Sequence, residues 1–273
     1  MDRLGIEFLG AFGLPPVAFV NLAADLGCRY ISTVFEPLEY NPHGYPRYSL
    51  RRDPALRREM IAAMRDRGVT VSLGEGFVVL PNLDVREAYA ADLDIMRELG
   101  ARNINTVSFD PDLHRSFDQF GLVAEMAASR ELQTVVEFAP CFPIGDLPTA
   151  VAAIRHVGRQ DCRLLIDTMH FGRTGGRASD IAALDPNAIG YVQLCDAPLV
   201  PAYPDYMEEA MYERMVPGTG ELPLRDFVAA LPRHLVLGLE VPVRSEVDAG
   251  IGTEQRLRRC VETTRTFLAE LAH

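Results

Sequence analysis

Short apolar or β-branched runs alternate with longer stretches of helical periodicity eight times along the chain. The runs are Leu4–Leu9, Tyr30–Phe35, Thr70–Leu73, Asn103–Ser108, Thr134–Phe138, Arg163–Ile166, Tyr191–Leu194 and Leu235–Leu239. Such compact, nearly unbroken hydrophobic runs predict strands covered on both faces, as in a parallel sheet under helices. Between them the helices have legible ends. Asp53-Pro54 puts an N-cap before a proline at the first helical position, with Gly68 past the far end. Asp84 and Glu87 open a helix that Gly100 closes, and its expected apolar stripe is Ala88, Ala91, Ile95 and Leu99. Leu257, Val261, Thr264, Leu268 and Leu271 form a second stripe near the C-terminus. Eight strand–helix units in 273 residues predict one α/β domain over 1–273, a closed (β/α)8 barrel. The rival, an open doubly wound sheet, usually carries G-x-G-x-x-G after its first strand. Here that strand is followed by Gly10-Ala11-Phe12-Gly13.

Composition narrows the chemistry. The chain has 48% hydrophobic and 24% charged residues, ordinary for a globular protein. All 27 basic residues are arginine, so a lysine Schiff base and a P-loop are both excluded. A net charge of −11 argues against nucleic acid as a partner, since such binding rests on phosphate neutralisation. No uncharged run reaches membrane-spanning length, and the N-terminus lacks a basic-then-apolar leader pattern. The five cysteines are scattered without CxxC spacing, which predicts free thiols in a reducing compartment, the cytoplasm.

In a parallel barrel, chemistry gathers at the C-terminal ends of the strands. The last four predicted strands each deliver an oxygen donor there: Glu137, Asp167, Gln193 and Glu240. Their separations of 30, 26 and 47 residues each match one β/α unit, the last widened by a long loop. Strands five to eight are neighbours in a closed barrel, so these oxygens can converge. Three carboxylates at one mouth repel unless a cation neutralises them, and all-oxygen ligation favours Mg²⁺ or Mn²⁺. Glu7, Glu36 and Glu75 also end or follow strands. His43 and His114 follow strands two and four as candidate acid–base or binding groups, while His156 and His273 receive no role.

The run Val135-Val136-Glu137, the element Ile166-Asp167-Thr168-Met169-His170 and the segment Gly190–Ala197 resemble the xylose isomerase-like barrels, the sugar phosphate isomerase/epimerase superfamily. Arg214 to Leu224, with its Pro217-Gly218-Thr219-Gly220, and Leu239-Glu240 complete the likeness. The resemblance implies one divalent metal on Glu137, Asp167, Gln193 and Glu240, with Glu137 and Glu240 doubling as the proton-transfer pair. It implies that His170 reaches the substrate or the metal's surroundings and that Arg214 holds a substrate oxygen, with His43 as a further binding group. The implied chemistry is proton transfer beside a carbonyl through a stabilised enediolate, hence an isomerase or epimerase on a small hydroxy-carbonyl substrate. Gln193 stands where many epimerases have histidine and is similar to the 3-dehydroshikimate and inosose dehydratase branches, so a lyase outcome is the alternative. A barrel that binds a metabolite without turnover is a further one.

The apolar stretches Phe12–Pro16, Phe77–Pro81, Phe142-Pro143 and Tyr203–Met207 are expected at the mouth, clasping an apolar substrate part or forming a homo-oligomer contact. Arg47, Arg51, Arg52, Arg173 and Arg177 leave an anionic substrate open.

Overall fold

The eight predicted strands all form, and they close on themselves in chain order. They are β1 (Leu4–Ile6), β2 (Tyr30–Thr33), β3 (Thr70–Val79), β4 (Asn103–Ser108), β5 (Gln133–Val136), β6 (Cys162–Asp167), β7 (Ile189–Leu194) and β8 (Leu237–Leu239). The structure is a computed structural model that describes residues 3–271; Met1, Asp2, Ala272 and His273 lie outside that range. Every neighbouring pair is parallel, and β1 closes on β8 through the Leu4–Leu237 to Ile6–Leu239 register. The molecule is a single-domain (β/α)8 barrel. No helix among the described residues is long and apolar enough to cross a membrane.

Parallel strands need crossovers, and the helices supply them with the expected caps. Asp53 accepts from the Ala55 and Leu56 amides, Pro54 opens the helix and Gly68 closes it with a left-handed φ of 67°. Asp84 caps the helix Val85–Glu98 through the Arg86 amide. The buried face of that helix differs from the expected one. Val85, Tyr89, Leu93 and Met96 face the barrel, while Ala88 and Ala91 are exposed. The larger side chains bury more area per turn, so they decide the helix rotation and the alanines turn outward.

Strand β3 runs well beyond its expected end. The Gly74-Glu75-Gly76 interruption reads as a turn in the sequence but is a bulge, where the register against β4 shifts between Gly74 and Phe77. Gly76 takes a φ of 107°, which only glycine adopts readily. Phe77–Val79, expected as mouth loop, therefore continues the strand against Thr106–Ser108.

Side chains two apart on a strand face the same side. The inward set consists of pairs: Gly5 below Glu7, Leu73 below Glu75, Val135 below Glu137, Leu165 below Asp167, Tyr191 below Gln193 and Gly238 below Glu240. Leu73, Val135, Leu165 and Tyr191 pack as a small apolar plug separate from the main core. The polar group two residues on from each therefore stands on that plug, at the strands' C-terminal ends.

Candidate active site

Above the plug lies a cavity of about 260 Å³. Glu75, Asn105, Glu137, His170, Gln193, Arg214 and Glu240 line its polar side. Three of the four expected oxygen donors thus share one cavity. Asp167 stands just behind, in contact with Arg214 and His170.

Asp167 ends β6 and at the same time caps the short helix Thr168–Arg173. Its Oδ1 accepts from the Met169 and His170 amides at 2.8 and 3.0 Å. Its Oδ2 accepts from Arg214 Nη1 at 2.5 Å. The cap turns His170 inward, with Nε2 3.3 Å from Glu137 Oε1 and Nδ1 bonded to the Tyr206 hydroxyl. Glu137 Oε2 accepts from Asn105 Nδ2 at 2.5 Å. Gln193 Nε2 donates to Glu75 Oε1 at 3.2 Å and to Glu240 Oε1 at 3.1 Å. Gln193 Oε1 is buried and has no partner.

Arg214, expected to hold a substrate oxygen, lines the cavity and is buried and engaged by protein groups. Nε donates to the Ala210 carbonyl at 2.6 Å, Nη1 to Asp167, and Nη2 meets Glu240 Oε2 at 3.0 Å. The guanidinium is an internal counter-ion for two carboxylates. His43 also departs from expectation. Its loop packs against the C-terminal helix, where His43 Nε2 meets Arg256 Nη2 at 3.2 Å, away from the cavity lining. His114 is on the surface beside Asp118 and His156. Phe12 packs edge-on against Tyr40 and does not line the cavity.

Burial sets the charge states. It pushes Glu240 well above the ordinary carboxylate range, against the pull of Arg214, and Asp167 and Glu137 push the same way. Burial, then Glu137 and Glu7, push Glu75 well up. Burial raises Glu7 from 4.5 to about 7, although Ser32 and the Tyr191 hydroxyl both donate to it. Burial acts on Asp167 too, but there Arg214, His170 and the capping amides outweigh it and hold the carboxyl below its ordinary range. Burial thus favours the protonated forms of Glu75 and Glu240, whereas Arg214 favours the charged form of Asp167.

The sequence assigns no role to Asn105 or to the Glu7–Tyr191–Ser72 chain, and it places Tyr206 only within the expected apolar mouth stretch, not against His170. In that chain Tyr191 donates to Glu7 Oε1 at 2.7 Å and meets Ser72 Oγ at 2.9 Å. A signal existed for Asn105: Asn103 and Asn105 alternate within an otherwise apolar or β-branched strand, placing two amides on its inward face. Glu75 was visible, but its bulge was not.

The donor chemistry fits a hard divalent cation. Carboxylates, an amide oxygen and the His170 imidazole are the available ligands, and Gln193 Oε1 is an orphaned buried acceptor. Ligand atoms of Glu137, Asp167 and His170 lie within 4.8 Å of one another, as do those of Glu7, Glu75 and Glu240; of the expected set Glu137, Asp167, Gln193 and Glu240, the first two thus fall in one group and Glu240 in the other. Arg214 already satisfies one oxygen each of Asp167 and Glu240, so an entering cation shares or displaces that guanidinium.

Fold and site together define a (β/α)8 barrel with clustered carboxylates at the strands' C-terminal ends, groups that could hold a metal ion. Residues 20–262 match the family model described as xylose isomerase-like TIM barrel, and the chain belongs to that family. No curated protein matches the sequence. Among solved structures, the IOLI protein with a bound zinc atom has 14% identity and a TM-score of 0.80, over 99% of this chain and 98% of that one. D-psicose 3-epimerase from Clostridium cellulolyticum H10, solved with D-tagatose, has 15% identity and a TM-score of 0.71, over 97% and 99%. The probable 3-DHS dehydratase AsbF from Bacillus anthracis has 11% identity and a TM-score of 0.74, over 97% and 99%. A fusion of a xylose isomerase-like barrel with 4-hydroxyphenylpyruvate dioxygenase matches 88% of this chain, which spans 38% of that protein's length, at 20% identity and a TM-score of 0.71. At these identities the likeness establishes the fold alone.

Proposed function

We propose that the protein is a divalent-metal-dependent isomerase or epimerase that moves a proton next to the carbonyl of a small hydroxy-carbonyl substrate. The observation that carries this reading is the meeting of Glu137, Gln193 and Glu240 on one cavity, backed by Asp167, with Gln193 Oε1 left unpartnered. Held there, a divalent cation such as Mn²⁺ or Mg²⁺ would supply Lewis-acid polarisation of the carbonyl. The residues do the rest. Glu137 takes or returns the proton at carbon, and Asn105 holds the carboxylate in place through Oε2. His170, between Glu137 and the Tyr206 hydroxyl, moves a proton at substrate oxygen or relays one away. Glu240 serves the other side of the substrate, and Arg214 keeps it positioned. The apolar wall limits water around the reacting carbon.

A second reading, a lyase that expels a β-hydroxyl as water, is favoured by Gln193 in the third ligand place. The epimerase and dehydratase names among the fold neighbours support keeping both outcomes. One experiment separates them. With Mn²⁺ added in D2O, an isomerase returns deuterium at the carbon next to the carbonyl, whereas a lyase gives an enone absorbance and no labelled substrate. Either activity must vanish with chelator and return with Mn²⁺. Turnover indifferent to that cycle overturns the metal reading.

A further inference from the structure

We propose that this cavity takes an uncharged hydroxy-carbonyl compound carrying an apolar ring, rather than a phosphorylated or carboxylated sugar. The inference rests on the proton-transfer reading above and specifies its substrate. Two independent observations carry it.

The first is the apolar share of the lining. Beside the polar groups, which include Glu75 of β3 and Asn105 of β4, the cavity is lined by Leu38, Phe77, Val78, Val107, Phe109 and Phe142. Phe109 and Phe142 meet edge to face with centroids 4.9 Å apart, yet Phe109 remains 45% exposed. An aromatic pair half open to solvent at a cavity mouth offers a stacking face to a ligand. A polyol would leave its hydroxyls unpaired against this wall, and each buried unpaired hydroxyl is unfavourable. Size agrees: a dry apolar cavity of about 150 Å³ holds benzene, so about 260 Å³ accommodates a six-membered ring with a short oxygenated arm.

The second is the absence of a partner for an anion. A phosphate or carboxylate needs arginine, lysine or a free helix N-terminus. The chain has no lysine. Arg214 is the only arginine lining the cavity, and Ala210, Asp167 and Glu240 engage it at Nε, Nη1 and Nη2. His170 is held between Glu137 and Tyr206. Arg51, Arg173 and Arg244 are committed to Asp92, Glu209 and Glu208, and Arg47 is not part of the cavity lining. The helix Thr168–Arg173 has its N-terminus capped by Asp167. Away from the cation, carboxylates outnumber the one guanidinium of the lining, so an anionic group on the far end of a substrate meets no free cationic side chain there.

Calorimetric binding to the Mn²⁺-loaded protein tests this with four probes: phenacyl alcohol, α-hydroxycyclohexanone, dihydroxyacetone and dihydroxyacetone phosphate. The ring-bearing ketones should bind about tenfold or more tighter than dihydroxyacetone, the usual scale for burying one aromatic contact. The phosphate should bind weakest. Phe109→Ser and Phe142→Ser, both at partly exposed positions, should erase the ring preference without changing Mn²⁺ affinity. Phe109→Arg should gain dihydroxyacetone phosphate binding. Equal or tighter binding of either unringed probe overturns the proposal, as does a ring preference that survives both serine variants. Failure of the parent reading looks different: the ring-bearing ketones bind with the stated preference, but no deuterium enters them.

Discussion

Arg214 shows how one side chain stands in for a missing charge. It sits at 3% exposure between Asp167 and Glu240, which lie on neighbouring parts of the barrel mouth. Arg214→Met should strand both carboxylates and cost the metal-free protein about 3–5 kcal/mol, the usual result of breaking a buried pair. Mn²⁺ should restore more stability to that variant than to the parent, because the cation then meets uncompensated acids. Urea unfolding with and without Mn²⁺ measures both. Glu240 leads to a second expectation. Burial shifts its carboxyl toward the protonated form, and a cation favours the deprotonated one. Mn²⁺ affinity should therefore rise with pH, and calorimetry in buffers of different ionisation enthalpy should register proton release. Glu7 gives a stability signature with a defined sign. Its folded pKa is about 7 against an ordinary 4.5. Below the lower value both states hold the proton. Between the two, only the folded chain holds it, so stability falls as pH rises, by roughly 3 kcal/mol in all. Glu7→Gln should flatten that decline by one proton's worth in urea midpoints taken across the interval.

At the scale of elements, strands were legible because double-sided burial leaves a compact apolar signature, as Leu164-Leu165-Ile166 in β6 shows. The bulge in β3 was not, since Gly74-Glu75-Gly76 carries the same residues as a turn and only pairing with β4 distinguishes them. The four donors were legible for a simple reason: each follows its strand's apolar run at the same phase, two residues past an inward side chain. The engagement of Arg214 was not, because its partners lie on β6 and β8, far away in sequence. The Pro217–Gly220 motif also has a structural meaning that the sequence did not disclose. Asp196 accepts from the amides of Ala197, Gly218, Gly220 and Leu222, and a side chain at Gly220 would lie 2.4 Å from Asp196 Oδ1. Strand β8 depends on a similar concession. A Cβ at Gly238 would stand 1.7 Å from Glu7 Oε1 and 2.7 Å from the Tyr191 hydroxyl. Gly238→Ala should cost about 1–3 kcal/mol by overpacking. Combined with Glu7→Ala it should cost less than the two changes added, and a double-mutant cycle in denaturant reads that coupling.

For the whole molecule, binding at the mouth should couple to global stability. If the cation binds only the folded barrel, Mn²⁺ at about a hundred times its dissociation constant adds about 2.7 kcal/mol. Thermal unfolding should then rise by several degrees and lose that gain with chelator. Glu137→Gln plus Asp167→Asn should abolish the shift. The closed barrel makes this coupling possible, since every expected ligand sits on, or directly after, a strand paired on both sides.

The return of the chain at Asp196 and Met215 has an evolutionary consequence. These two residues form an antiparallel bridge, so the excursion between them begins and ends at a clasp. Leu199 and Val200 ride on that excursion at 62% and 76% exposure. Replacing its outermost stretch with foreign sequence should leave Arg214 and the acids beneath it undisturbed. A laboratory lineage selected for new ligands would then find its freest raw material in residues 199–202, ahead of Asp205, which caps the helix that bears Tyr206 and Ala210.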